Sequence, residues 1–251
     1  MTLYTDIDPQ LCQWMERLIS FGILPYGDVV CADLRRLTDL SAYGTVHLCA
    51  GVGCWEEALC LAGWDTNVWT VSCPCQPFSA IGARRGTRDD RHIWPAVYSL
   101  IRRHRPPVVF GEQVASTDGL AWLDGVWTDM EAAGYSFEAV DLSAACLGAP
   151  HIRQRLYWVG YTERPRLEGY RGYGETVGNP ETIGSDSSAG FLRAWDQYES
   201  LTCVDGNRRI QPGTFPVVDG TFSRVGRLRA YGNALVPQVA ALFIRSFMES
   251  G

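Results

Sequence analysis

The stretch VSCPCQPFSAIG, residues 71–82, sets two cysteines around one proline. It follows the apolar run NVWTVS, which reads as a buried strand, and it precedes a loop carrying Arg84, Arg85, Arg88 and Arg91. A thiol at a strand end beside positive charge is a candidate nucleophile. The thiolate is the reactive form, and a neighbouring cation lowers the thiol pKa. Arginines in that loop would also contact the phosphates of a substrate held at the cysteine. The competing reading is structural, because a free cysteine packs like a small hydrophobe. This stretch alone does not decide between Cys73 and Cys75 as nucleophiles or as core residues.

Four other groupings have residue types suited to chemistry. LCAGVGC, residues 48–54, ends a strand in glycines and opens a helix. Glycine there lets backbone approach a ligand and leaves a helix N-terminus free, although a plain strand–helix turn has the same appearance. GEQV places Glu112 at the end of a strongly apolar strand. HIRQRLYWVG sets Arg153 and Arg155 on the same face of a strand, two residues apart. YGNALVPQ puts Asn233 in a turn before the last helix.

The elements that must position these groups follow from periodicity. TVHLCAG, NVWTVSC, PVVFGEQ, SFEAVDLSA and RLYWVGY read as strands. WEEALCLAG, IWPAVYSLIRRH and GLAWLDGVWTDMEAAG read as the helices between them. Alternation of strand and helix over residues 45–160 implies an α/β fold with a doubly wound, mostly parallel sheet. Ligands in such sheets bind beyond the carboxyl ends of the strands, so Gly51, Cys75 and Glu112 are aimed at one crevice. The rhythm stops near residue 161. Residues 161–222 are rich in Gly, Tyr, Arg, Ser and Pro, yet Phe191, Trp195, Tyr198 and Phe215 are too apolar for a solvated tail. They read as a small irregular lobe, and LVPQVAALFIRSFM then returns to helical spacing.

A chain of 251 residues suits one large domain with a small appendage. No apolar run reaches the roughly 18 residues of a membrane span, and the first residues carry no export signal, so a cytoplasmic location is expected. Nine cysteines without paired spacing read as reduced thiols, with neither a disulfide frame nor a metal site. The net charge of −6 does not itself suggest a polyanionic partner. Distribution matters more: every basic residue is arginine, and the arginines cluster after Cys75 and again at 224–229.

In this order the pieces resemble the DNA cytosine methyltransferases that act on carbon 5 of the base. PCQPFS matches that family's nucleophile motif, which selects Cys75 over Cys73. GEQV is similar to its Glu-Asn-Val motif, with Gln113 in place of Asn. Arg153 and Arg155 match its Gln-x-Arg-x-Arg motif, with His151 in place of Gln, and GNALVP matches its last motif. The resemblance implies a Rossmann-like fold, S-adenosylmethionine as cofactor and double-stranded DNA as partner, with the target base flipped out of the duplex. It implies Cys75 as nucleophile, Glu112 as the acid at ring nitrogen 3, and Arg153 and Arg155 as orienting groups. It assigns Cys49, Gly51, Gly53, Pro74 and Asn233 to the cofactor, and Gln76, Ser79, Arg84, Arg85, Arg88 and Arg91 to DNA. Residues 1–160 with 223–251 would form the catalytic domain, and 161–222 the target-recognition lobe.

The pattern departs from the family in two ways. Cys49 stands where an aromatic is usual, and Cys54 where a further glycine is usual. More consequentially, two strands that carry acids for the ribose and the adenine lie, in the family, between the glycine motif and the nucleophile motif. Here Trp64 to Cys73 is too short for them, since a parallel crossover needs about a dozen residues. Residues 1–43 look like the missing piece: LYTDID as strand, PQLCQWMERLISFG as helix, GDVVCADL as strand. This permuted order, of the phage or prophage type, would make Asp6 and Asp33 the cofactor acids. It predicts the strand near Leu3–Ile7 beside that near Val46–Cys49, with the strand near Val29–Ala32 at the sheet edge. The alternative is an unrelated N-terminal extension. For function, the alternatives to a DNA enzyme that protects phage or host DNA from restriction are an RNA cytosine methyltransferase and an inactive DNA-binding relative.

Overall fold

The computed structural model describes residues 1–74, 93–149, 151–163, 198–202, 208–212 and 234–250. Seven strands form one sheet: β1 (Thr2–Asp6), β2 (Gly27–Cys31), β3 (Thr45–Leu48), β4 (Val68–Val71), β5 (Val108–Val114), β6 (Ser136–Ser143) and β7 (Gln154–Tyr161). Their order across the sheet is β2-β1-β3-β4-β5-β7-β6. The first five are mutually parallel, and β7 runs antiparallel to both β5 and β6. A separate antiparallel pair, β8 (Tyr198–Thr202) and β9 (Arg208–Pro212), falls in the region expected to form the small lobe.

Among the described residues five helices flank the large sheet: α1 (Pro9–Ser20), α2 (Cys54–Ala62), α3 (Trp94–His104), α4 (Thr117–Ala132) and α5 (Pro237–Glu249). Their starts are set locally. Asp8 caps α1 by accepting the Gln10 N–H, with Pro9 in the first turn, where its missing N–H costs nothing. Ser116 caps α4 by accepting the Gly119 N–H, which starts that helix two residues before the apolar pattern does. Val108, Val109 and Phe110 are all buried, as the central strand of a sheet covered on both faces requires.

Strand alternation sorts the helices onto two faces. Tyr4 of β1 stacks on His47 of β3 at 5.0 Å, and His47 Nδ1 shares a hydrogen bond with Thr70 Oγ1 of β4 at 2.8 Å. These three side chains mark one face. Helix α1 packs there through Cys12, Trp14 and Met15 against Tyr4. Helices α2 and α5 pack there too, with Trp55, Leu59, Phe243 and Phe247 around Val68 and Phe110. Arg245 Nη2 donates to the Leu61 carbonyl at 2.6 Å, tying the last helix to α2 over their shared core. The opposite face carries α3, α4 and the 33–40 connection: Val97, Ile101, Trp122, Leu34 and Leu40 cluster with Leu3, Val46, Trp69 and Val109.

This arrangement has a topological consequence. The connections β3–α2–β4 and β4–α3–β5 step the same way across the sheet, yet α2 and α3 cover opposite faces, so their hands are opposite. The connection β1–α1–β2 steps the other way on the α2 face and therefore shares the hand of β4–α3–β5. Roughly 98 % of parallel crossovers are right-handed, which makes β3–α2–β4 the left-handed one. As the sequence predicts, β1 pairs in parallel with β3, with Leu3 opposite Val46, and β2 pairs with β1 at the sheet edge.

Candidate active site

The carboxyl ends of β1, β3, β4 and β5 converge on one crevice. Strand β1 ends at Asp6, whose Oδ1 accepts the Asp8 N–H and whose Oδ2 accepts the Gly51 N–H, both at 3.0 Å. Burial raises the Asp6 pKa above the ordinary carboxylate value, and the backbone donors from Asp8, Gly51 and Ile7 only partly offset that. Beyond β3 the chain turns sharply. Cys49 has φ +53°, Gly51 +60° and Gly53 +85°. A Cβ on Gly51 would meet nothing within 4 Å, so the backbone there borders open space; one on Gly53 would lie 2.9 Å from Leu24 Cδ1. Gly53 then opens α2, with no side chain capping the helix.

Asp33, just beyond β2, accepts the Arg35 N–H at 3.0 Å and pairs with Arg35 Nη1 at 3.0 Å. Those contacts hold its pKa below the usual carboxylate range. Burial first, then the charges of Asp6 and Asp33, push the Cys49 thiol up to about 12. Cys54 is also pushed up to about 12, chiefly by burial. Neither thiol is poised as a nucleophile at neutral pH.

Strand β4 leads to Ser72, Cys73 and Pro74. The Trp55 indole N–H donates to Ser72 Oγ at 2.9 Å, tying this exit to α2. Cys73 is buried in the core, and burial lifts its pKa well above the ordinary thiol value. It fits the structural role that the sequence left open for one of the two cysteines. Cys75, Gln76, Ser79, Arg84, Arg85, Arg88 and Arg91 lie outside the described residues, as does Asn233. Pro74 is exposed where the described chain leaves β4.

Glu112 lies within β5, two residues before its end, and is 7 % exposed. Its Oε1 pairs with Arg155 Nε at 2.7 Å, across the β5–β7 ladder. Burial raises the Glu112 pKa, and the charges of Arg155 and Arg153 pull the other way. Arg153 does not share the strand's alternation with Arg155, contrary to the two-residue spacing. It precedes β7, with φ +35°, and its guanidinium reaches the Ala234 carbonyl at the start of the last motif. The left-handed backbone turns Arg153 out of the strand, while its positive charge still acts on Glu112. Desolvation, and then Arg155, lower the Arg153 pKa.

Two linkages escaped the sequence reading. His47 Nε2 and Glu56 Oε2 lie 2.7 Å apart, joining β3 to the first turns of α2 beneath the glycine turn. The signal was an ionisable residue within the strand TVHL and a glutamate nine positions on. The second is Gln113, which is 2 % exposed and whose Nε2 lies 3.4 Å from the Cys73 carbonyl. A contact between separate strands has no trace in local periodicity.

Comparison with known proteins bears on what this crevice does. The chain is 31% identical over 111 residues to Type II methyltransferase M.HhaI of Haemophilus parahaemolyticus, covering 43% of this chain and 34% of that protein. It is 26% identical over 147 residues to Type II methyltransferase M.MspI of Moraxella sp, covering 57% of this chain and 29% of that one. The matches thus span about a third of these curated relatives or less. In solved structures, the fold resembles S. pombe Dnmt2 methyltransferase, with TM-score 0.54, 13% identity, 99% of this chain and 98% of that chain. It also resembles the Entamoeba histolytica methyltransferase EhMeth, with TM-score 0.55, 13% identity, 99% of this chain and 89% of that chain. The sequence profile of the C-5 cytosine-specific DNA methylases matches residues 56–190, more than half of the chain, and ends before the last motif. With a buried Glu112–Arg155 pair beside the exit of β4, and the mostly parallel seven-stranded sheet of the methyltransferase fold around it, the chain belongs to the C-5 cytosine-specific DNA methylase family.

Proposed function

We propose that this protein transfers a methyl group from S-adenosylmethionine to carbon 5 of cytosine in double-stranded DNA. The observation that carries the reading is the Glu112–Arg155 pair at 2.7 Å, set in a buried position next to the strand that leads to Cys75. Carbon 5 of cytosine is a poor nucleophile. The Cys75 thiolate adds to carbon 6, forming a carbon–sulfur bond and turning the ring into an enamine with an electron-rich carbon 5. Glu112, whose burial favours the protonated form, donates to ring nitrogen 3 as that charge develops. Arg155 holds the carboxyl in place. Loss of the carbon 5 proton after transfer then allows the thiol to leave. A stacked base cannot reach these groups, so the target is extruded from the duplex.

The residues present fit the methyl donor that members of this family use. Gly51 borders open space, the Asp6 carboxylate lies beside it and accepts its N–H, and Asp33 lies within electrostatic reach of the same Cys49 thiol. Asp6 would accept from the ribose hydroxyls, and Asp33 would approach the adenine edge. Cys49 offers no ring for stacking. Bound S-adenosylmethionine supplies an electrophilic methyl on a sulfonium centre. Residues 1–43 are, in this reading, the family's two acid-bearing strands moved ahead of the glycine motif. The left-handed β3–α2–β4 crossover supports this, because placing those strands after α2 would make the connection right-handed. The family profile begins at residue 56, beyond the relocated segment. Residues 161–222 would read the DNA sequence, and the loop 80–91 would grip its phosphates. A protective role against restriction in a phage or its host follows the same reading.

Base-resolution sequencing of DNA from cells expressing the protein tests the proposal. The expected result is 5-methylcytosine at one short sequence, absent with Cys75→Ala. Unmodified DNA alongside methylated transfer RNA would move the substrate to RNA. No methylation of either, with intact DNA binding, would leave an inactive binder.

A further inference from the structure

We infer that Gln113 is a positioning residue that sets the approach of the nucleophile segment, resting on the reading of Cys75 as nucleophile. Strands β4 and β5 pair through Trp69–Val109, Thr70–Phe110 and Val71–Gly111, and there β4 ends. Continued in register, Cys73 would stand opposite Gln113. The ladder is broken at that point, but β5 runs on to Val114, held by β7 on its other side. The Gln113 side chain spans the gap: Nε2 faces the Cys73 carbonyl at 3.4 Å.

The orientation of this amide is fixed by its other end. Gln113 Oε1 accepts the Val114 N–H at 2.9 Å, so the oxygen is engaged and the NH₂ group must face Cys73. The side chain is 2 % exposed, so water does not compete for either group. A side-chain amide thus takes the place of a missing ladder rung, two residues before Cys75. Asparagine, which the related motif carries at this position, is one methylene shorter. Ser72, on the other side of Cys73, is held by Trp55 and by the Leu48 carbonyl, so among the described residues Gln113 is the side chain that bonds the peptide leading into Pro74.

The test uses two variants of the full chain, Gln113→Leu and Gln113→Asn. The first removes both hydrogen bonds at similar volume, and the second keeps the amide and shortens its reach. In methyl transfer, both are expected to keep KM for DNA and for S-adenosylmethionine within about twofold while kcat falls about tenfold or more, the signature of lost alignment. A second readout needs no turnover. Iodoacetamide alkylation of Cys75 in the free protein, followed by peptide mass spectrometry, is scored against the exposed Cys60 and Cys146. The Cys75 rate and its pH profile are expected to shift in both variants while Cys60 and Cys146 keep their ratio. Wild-type kcat and wild-type Cys75 alkylation in either soluble variant would overturn the inference. Should one variant fail to fold, the other decides by the same two readouts. A wild-type protein that methylates nothing sinks the proposed function instead, and the alkylation readout still decides the role of Gln113.

Discussion

The carboxylate of Asp6 accepts the backbone N–H of Gly51 at 3.0 Å, joining two residues 45 positions apart. The first strand of the chain thereby fixes the shape of the turn that opens α2. If Asp6 also accepts from a ribose hydroxyl, its removal costs twice, once through the ligand and once through the turn. Asp6→Ala is expected to weaken S-adenosylmethionine binding by about 1–3 kcal/mol, the scale of a lost hydrogen bond to a charged group. Isothermal titration calorimetry measures this. Unchanged affinity would remove Asp6 from the cofactor site and leave it only the turn.

Covalent trapping separates the two cysteines. Cys73 is buried with its thiol pKa driven up, so it is a poor nucleophile at neutral pH. A duplex containing 5-fluorocytosine is expected to form a stable adduct with wild type and Cys73→Ala, and none with Cys75→Ala. Adduct mass is the readout. Trapping by Cys75→Ala would reassign the motif register.

Glu112→Gln is expected to bind DNA nearly as well as wild type and to lower kcat by on the order of a hundredfold or more, the usual scale for general acid catalysis. Single-turnover methyl transfer measures it, and an unchanged rate would take Glu112 out of the mechanism.

The same residue gives a pH signature in stability. Burial holds the folded-state pKa of Glu112 above its unfolded value. Between the two values the folded chain binds more protons than the unfolded one, so this group's contribution falls as pH rises through that interval. It is fully present below the unfolded carboxylate value. Melting curves of wild type should therefore lose stability relative to Glu112→Gln as pH rises from about 4 through the folded value. A difference, wild type minus variant, that stays constant or grows with rising pH would contradict the assigned shift.

The left-handed crossover predicts that the chain can be re-ordered. The Gly44 carbonyl accepts the Val68 N–H at 3.2 Å, and the Met1 carbonyl accepts the Gly44 N–H at 3.1 Å, so the ends to be joined are already neighbours. A chain in the order 45–66, 1–44, 67–251, with a short glycine linker before residue 1, makes every parallel crossover right-handed. It is expected to melt within about 4 °C of the natural order, the scale of a 1 kcal/mol change for a chain of this size, and to bind S-adenosylmethionine with the same affinity. An unfolded product would mean that residues 1–43 are not a displaced unit of this sheet.

Much of this fold was legible because its strands are short, apolar and bounded by glycine or proline. VVFGEQV and RLYWVGY could hardly be anything else. The strand order was legible for a different reason: the link from Trp64 to Cys73 leaves no room for a further strand, so only the N-terminal segment could cover the open side of β3. The hand of the α2 connection was not legible, since it depends on which face α2 covers, and apolar residues in WEEALCLAG do not name a face. Arg153 was placed in the strand because spacing assumes regular backbone, and a left-handed residue carries no mark when it is not glycine. Gln113 was visible as a departure from a motif, but its partner lies just past the end of another strand, forty residues away.

The order of segments also separates the two halves of the crevice in time. Asp6, Asp33, Cys49, Gly51 and Gly53 all precede residue 54, while Cys75, Glu112, Arg153 and Arg155 follow it. The parallel trio β2-β1-β3 and its helix α1 are complete when about one fifth of the chain has been synthesised. A growing polypeptide thus carries the residues proposed for the nucleoside before the thiol proposed to attack the base. The Asp6 carboxylate precedes the glycine turn in the chain, so the turn takes its shape on arrival, against a carboxylate already in place.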